Sequence, residues 1–199
     1  MSKTVLKHKV ALILGADLPA GRAAALQLAR AGVRVVAAGL KVEQLEELVG
    51  LIVLKHGDAL TAPLPKDLEK VATSLRVARE TVGHFHFILN ALPSNSESRK
   101  RSEDVFKVVL DHIRGRGGAR LATVWPDDAG QWTPPAEELW HSLVRVKAIS
   151  ANSETADEES VRASALGDAL VQVFQCPPAA CPVEIRLEPR PLKLDEEPG

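Results

Sequence analysis

Apolar positions in this chain fall into short unbroken runs, separated by longer segments in which they recur every three or four residues. Lys9–Gly15 (KVALILG) is a continuous apolar run ending on glycine, the pattern of a strand buried on both faces of a parallel sheet. Gly21–Ala31 (GRAAALQLARA) has the composition of a helix, and Gly32 stands where that helix should stop. Val33–Ala38 predicts a second strand. Glu43–Val49 predicts a helix with Leu45, Leu48 and Val49 on one face, ended by Gly50. Leu51–Leu54 then predicts a third strand, Lys66–Glu80 a helix through Leu68, Val71, Ala72 and Leu75, and Phe85–Leu89 a fourth strand. Strands and helices in strict alternation predict a doubly wound, Rossmann-like α/β fold, a parallel sheet with helices on both faces.

The second half is less regular. Ser102 is placed to cap a helix running to about Arg114, with Phe106, Val109, Leu110 and Ile113 inward. Arg120–Trp125 (RLATVW) predicts a fifth strand, and Asp127–Glu138, with Pro134 and Pro135, a loop. Leu143–Ser150 fits two periods: Val144, Val146 and Ala148 alternate, while Leu139, Leu143, Val146 and Ile149 keep helical spacing. The strand reading is preferred. Asp157–Phe174 predicts the last helix and Val183–Leu187 the last strand. The proline-rich, charged stretch 189–199 is expected to be a flexible tail on a single domain, 1–188.

Composition narrows the function classes. The chain has 199 residues, 45% of them hydrophobic, enough for one substantial core. A net charge of −1 gives no basic excess for nucleic acid. The apolar run Val10–Leu14 is too short to span a membrane or serve as a signal peptide, so a soluble, cytoplasmic protein is expected. Cys176 and Cys181 flank Pro177 and Pro178, and are expected to stay reduced. His84 and His86 alternate on a strand, but no acidic or cysteine partner lies nearby, so no metal site is expected.

Lys9–Leu48 resembles the opening of the short-chain dehydrogenase/reductase (SDR) family. That family's T-G-x-x-x-G-x-G turn falls on Leu14-Gly15-Ala16-Asp17-Leu18-Pro19-Ala20-Gly21, so Gly15 and Gly21 match and the phosphate-approach glycine is Pro19. Proline suits the first turn of a helix, yet it removes one N–H from the anion site there. At the second strand's end, Gly39-Leu40-Lys41 offers no acid for a ribose hydroxyl, and Lys41 is the residue that would meet the 2′-phosphate of NADP. Asp58, in His56-Gly57-Asp58-Ala59, resembles the family's adenine-binding aspartate, and Asn90 resembles the first asparagine of its N-N-A-G. Gly15, Gly21, Asp58 and Asn90 are therefore vestigial cofactor positions, and no working cofactor site is expected.

The resemblance also defines what is missing. SDR chemistry uses a tyrosine, a lysine four residues later, a serine on the fifth strand and an asparagine on the preceding helix. This chain contains no tyrosine. Pro126 falls at the serine position, and the tyrosine position falls near Leu139 or Trp140, with Leu143 or Val144 in place of the lysine. A tryptophan N–H is not a usable acid at neutral pH. Ala151-Asn152 replaces the proline-glycine beside the nicotinamide.

Three functions follow as expectations. The first is a non-catalytic subunit of a hetero-oligomer with an active SDR paralogue. SDR heteromers with one inactive subunit are known, as in the hydroxyacyl-CoA dehydrogenase of anaerobic toluene breakdown. Gly167–Leu187 is its expected interface, because Leu170, Val171, Val173, Phe174, Val183, Ile185 and Leu187 are more apolar positions than one core face needs. The second is a divergent NADP-dependent oxidoreductase with His141 as general acid. The third is a sensor that binds adenine nucleotide through Asp58 and Asn90.

Overall fold

A computed structural model describes residues 6–93, 98–113, 119–126, 140–146, 156–176 and 184–187. Seven parallel strands form one sheet: β1 (Val10–Leu14), β2 (Arg34–Gly39), β3 (Ala59–Pro63), β4 (Phe87–Asn90), β5 (Arg120–Pro126), β6 (Trp140–Val146) and β7 (Glu184–Leu187). Their spatial order is β3-β2-β1-β4-β5-β6-β7, which reverses direction between β1 and β4. Every residue of β1 is buried, as its unbroken apolar run requires at the centre of a sheet covered on both sides.

Alternation along β1 divides the core in two. Ala11 and Ile13 face a cluster built with α1 (Pro19–Arg30), α2 (Val42–Leu54) and α5 (Ala156–Gln175). Val10, Leu12 and Leu14 face the other cluster, built with α3 (Leu68–Val82) and α4 (Arg99–Ile113). Gly32 ends the α1 turn with φ +86°, and Gly83 ends α3 with φ +83°, backbone conformations that favour glycine.

The third strand is not Leu51–Leu54. Those residues continue α2, because Leu45, Leu48 and Ile52 lie on one buried face at helical spacing. Gly50 is exposed, with open space where a Cβ would stand, and it does not stop the helix. The stop comes at His56, whose φ is +61°, and the Gly57 N–H closes back on the Ile52 carbonyl. The third strand is Ala59–Pro63, less apolar than its neighbours and ending in proline, as an edge position permits.

Smaller boundaries also move. The fourth helix starts at Arg99, so Ser102 lies inside it and donates its N–H to Ser98, and does not cap it. Trp140–Val146 is a strand in parallel register with β5, in agreement with the preferred reading of Leu143–Val146. Asp127–Glu138, Lys147–Ser150 and the tail 189–199 lie outside the described residues.

α5 packs on α1 at a close crossing: a Cβ on Gly167 would come within 2.6 Å of Gln27 Cγ. Its far end is tied to the sheet by Arg120, whose guanidinium donates to the carbonyls of Val173, Phe174 (2.9 Å) and Cys176. A cation at a helix C-terminus meets both the unpaired carbonyls and the negative end of the dipole. Leu170, Val173 and Phe174 are all within the core, where Phe174 stacks on Phe87 with ring centroids 4.6 Å apart. This corrects the expectation that Val173 belongs to an intermolecular surface. The apolar surplus of α5 is consumed by a sheet that needs a third helix on that face.

Candidate nucleotide crevice

In an open parallel sheet the ligand crevice lies at the carboxyl ends of the strands, where the strand order reverses. Here that point lies between β1 and β4, and the first turn beside it is Gly15–Gly21. Gly15 has φ +76°, and a Cβ there would stand 2.6 Å from the Ala91 carbonyl oxygen. A Cβ on Gly21 would overlap the Gly15 carbonyl, so the helix can approach the strand only at glycine. Both retained glycines are therefore explained by backbone packing alone.

Pro19 is the first residue of α1, as its fixed φ favours. It is exposed at the mouth of the turn and brings no N–H to it. Leu18 precedes it in extended conformation and caps nothing with its side chain. Asn90 ends β4, beside the turn, and its Oδ1 accepts from the Leu92 N–H at 3.3 Å, an Asx turn that organises the strand end.

Asp58 is at the opposite edge of the sheet. It immediately precedes β3, its carbonyl accepts from the Val35 N–H, and its carboxylate pairs with Arg34 at the start of β2 (2.5 Å). The residue at the carboxyl end of β3 is Pro63, in register with Gly39, so no carboxylate stands at the adenine position. The misplacement follows from the third strand, which begins where it was expected to end.

The same register corrects two other sequence assignments. Trp140 is paired with Arg120, the first residue of β5, and so starts a strand at the amino edge of the sheet; it does not sit on a helix at the crevice. His141 pairs with Leu121, whereas Pro126, the carboxyl end of β5, pairs with Val146. Five residues of strand separate those two rows, about 16 Å at about 3.3 Å per residue. His141 is thus carried away from the strand ends where a substrate would meet β5. Residues 127–139, thirteen in number, join β5 to β6.

One residue missed in the sequence is central to the crevice. Asp17, half-buried in the β1–α1 turn, reaches across to the end of β2. Its Oδ2 accepts from the Leu40 and Lys41 N–H groups, each at 3.1 Å. Lys41 is the residue before α2, so these are donors at that helix's amino end. A Cβ on Gly39 would overlap the Asp17 carboxylate, so Gly39 is the space that Asp17 fills. The available signal was the pairing of an acid inside the glycine-rich turn with a glycine at the second strand's end. On the far side of the crevice, Arg101 of α4 donates to the Pro65 carbonyl, just beyond β3.

His84 and His86 are neighbours, with ring centroids 5.2 Å apart. His86 Nδ1 accepts from the Val10 N–H at 3.2 Å, which commits that nitrogen to the sheet. Among the described residues no group of three or more His, Cys, Asp or Glu could hold a metal ion. No helix among them is long and apolar enough to cross a membrane. Cys176 is a free thiol, and Cys181 lies outside the described residues.

No family model matches the sequence. An uncharacterized oxidoreductase of Listeria monocytogenes is 31% identical over 114 residues, 55% of this chain and 46% of that protein. A second, from Listeria innocua, is 30% identical over the same length. The match thus spans about half the length of these curated relatives. In fold the likeness is wider. A dehydrogenase/reductase from Sinorhizobium meliloti superimposes with TM-score 0.68 at 15% identity, over 92% of this chain and 96% of that one. The citronellol catabolism dehydrogenase of Pseudomonas aeruginosa gives 0.69 at 19%, over 94% and 96%. A metagenomic short-chain oxidoreductase solved with NADP gives 0.67 at 14%, over 94% and 100%.

Proposed function

From a chain that has the short-chain dehydrogenase/reductase fold, we propose a non-catalytic function: a cytoplasmic subunit that assembles with an active SDR paralogue and supports it. The observation that carries this reading is the absence of tyrosine from the whole sequence, in a fold whose β5 ends on Pro126. No other described side chain at the strand ends takes over the proton. Asn90 is engaged in its turn, Asp17 is held by two backbone N–H groups, and His141 lies rows away from Pro126. The cofactor crevice is reduced in the same direction, through Pro19 at the phosphate position and Pro63 at the adenine position.

Assembly is supported by the edge of the sheet. Among the described residues, β7 pairs with β6 on one side and ends the strand order on the other. The last strand of a sheet is a place where a further chain can add, and natural sheets protect it. Covering it with a second SDR-fold chain would bury the outer strand of both.

The first test is calorimetric titration with NAD⁺, NADH, NADP⁺ and NADPH. Losing several contacts at about 1–3 kcal/mol each moves dissociation constants towards millimolar. Low-micromolar affinity for any of the four would defeat the reading. Pro126→Ser combined with Trp140→Tyr is expected to restore no carbonyl reduction, since a tyrosine at position 140 would stand at the wrong end of its strand.

A further inference from the structure

The Asp17 carboxylate has a consequence for ligand choice that neither the resemblance nor the remaining glycines contain. In dinucleotide-binding folds the end of the second strand sorts ligands: an acid there favours a free ribose hydroxyl, and a base accommodates a 2′-phosphate. At that strand end this chain has Gly39, Leu40 and Lys41, which on sequence alone favours the phosphate. Yet the two backbone donors there are already spent on a carboxylate that arrives from a different loop. The missing side chain of Gly39 is what lets that carboxylate in.

We propose that Asp17 is a specificity-determining residue that closes the β2 corner of the crevice to 2′-phosphorylated adenosines. It acts in two ways. It takes the Leu40 and Lys41 N–H groups, which at the amino end of α2 are the natural donors for a phosphate. It also fixes a negative charge where the phosphate's charge would fall, and like charges a few ångströms apart repel strongly when partly removed from water. Lys41 does not reverse this: it is exposed, and its backbone N–H is one of the two groups held. The effect is selective, because an adenosine with a free 2′-hydroxyl brings a donor that a carboxylate accepts.

This inference rests on the reading of the strand ends as a reduced nucleotide crevice, and its test separates the two. The probes are adenosine 5′-monophosphate and adenosine 2′,5′-bisphosphate, titrated by ligand-observed NMR against the full chain and against Asp17→Asn and Asp17→Ser. Asp17→Asn keeps the shape and one acceptor oxygen, so it keeps the turn while removing the charge. The affinity for the bisphosphate relative to the monophosphate is expected to rise about tenfold in both variants, the size of effect expected from removing one charge a few ångströms from a phosphate. A ratio unchanged from wild type, or variants that bind neither probe while melting cooperatively, overturns the proposal. A lowered melting temperature with an unchanged ratio marks Asp17 as a tie between two turns and nothing more, which also overturns it. Tight binding of NAD⁺ by the wild-type chain would instead count against the non-catalytic reading and leave the ratio as a separate result.

Discussion

His86 shows how a single side chain links chemistry to stability. Its Nδ1 accepts from the Val10 N–H, which requires the neutral ring with its proton on Nε2. Burial, then the positive charge of Lys9 and the neighbouring His84, lower its pKa below the ordinary 6.5. A histidine that is harder to protonate folded than unfolded contributes stability above pH 6.5, and that contribution is lost as pH falls from there towards the lowered folded value. Urea midpoints measured from about pH 7.5 to 5 should therefore fall more steeply for wild type than for His86→Gln. Parallel curves would remove His86 from the account. Arg120 is a second residue with an outsized role, since three carbonyls at the end of α5 depend on it. Arg120→Ala is expected to cost about 1.5–3 kcal/mol, the range for hydrogen bonds to a charged group, and Arg120→Lys to recover only part of it. Arg120 was not legible in the sequence and Asp17 only through its pairing with Gly39, because each acts on backbone groups of a distant segment. Gly15 and Gly21 were legible, because their task is local to one turn.

At the scale of elements, α2 carries the most informative correction. Its apolar positions Leu45, Leu48 and Ile52 keep one helical stripe through Gly50, but a glycine followed by four apolar residues also fits a stop and a strand. Tertiary packing decides between the two: the sheet already has its third strand in Ala59–Pro63. The structure makes a direct prediction, since Gly50 is exposed and helical with nothing in the way of a side chain. Gly50→Ala should stabilise the protein by about 0.5–1 kcal/mol; a loss of stability would argue for a chain break there. The opposite result is expected at Gly21, where a Cβ would overlap the Gly15 carbonyl. Gly21→Ala should force the turn and α1 apart, at a cost of several kcal/mol in the same urea titration, among the larger effects of a point substitution. The strands β1, β2, β4 and β5 were legible because each is a compact apolar run. The extent of α2 and the start of α4 were not, because helix ends are set by backbone partners that sequence pattern does not display.

For the whole molecule, the sheet and its helices are those of a doubly wound α/β fold. Seven strands with helices on both faces were foreseeable from the alternation of patterns, but the third strand lies at Ala59–Pro63 in place of Leu51–Leu54, the sixth starts at Trp140 where it was expected from Leu143, and the order 3-2-1-4-5-6-7 comes from the structure. The partner-binding argument drawn from α5 was not sound, since Leu170, Val173 and Phe174 are needed by the chain's own core. What supports the proposed assembly now is the place of β7 at the end of the strand order among the described residues, together with the absence of tyrosine from the sequence. Val173→Asp would consequently unfold the protein and report nothing about a partner. The decisive measurement is the native mass, by sedimentation or mass spectrometry, of the tagged chain recovered from its own organism at micromolar concentration. The account predicts a hetero-oligomer whose second subunit is an SDR with serine, tyrosine and lysine in place, and whose dehydrogenase activity is lost when that subunit's tyrosine is replaced. A chain recovered as a monomer, with no SDR bound to it, would contradict the account.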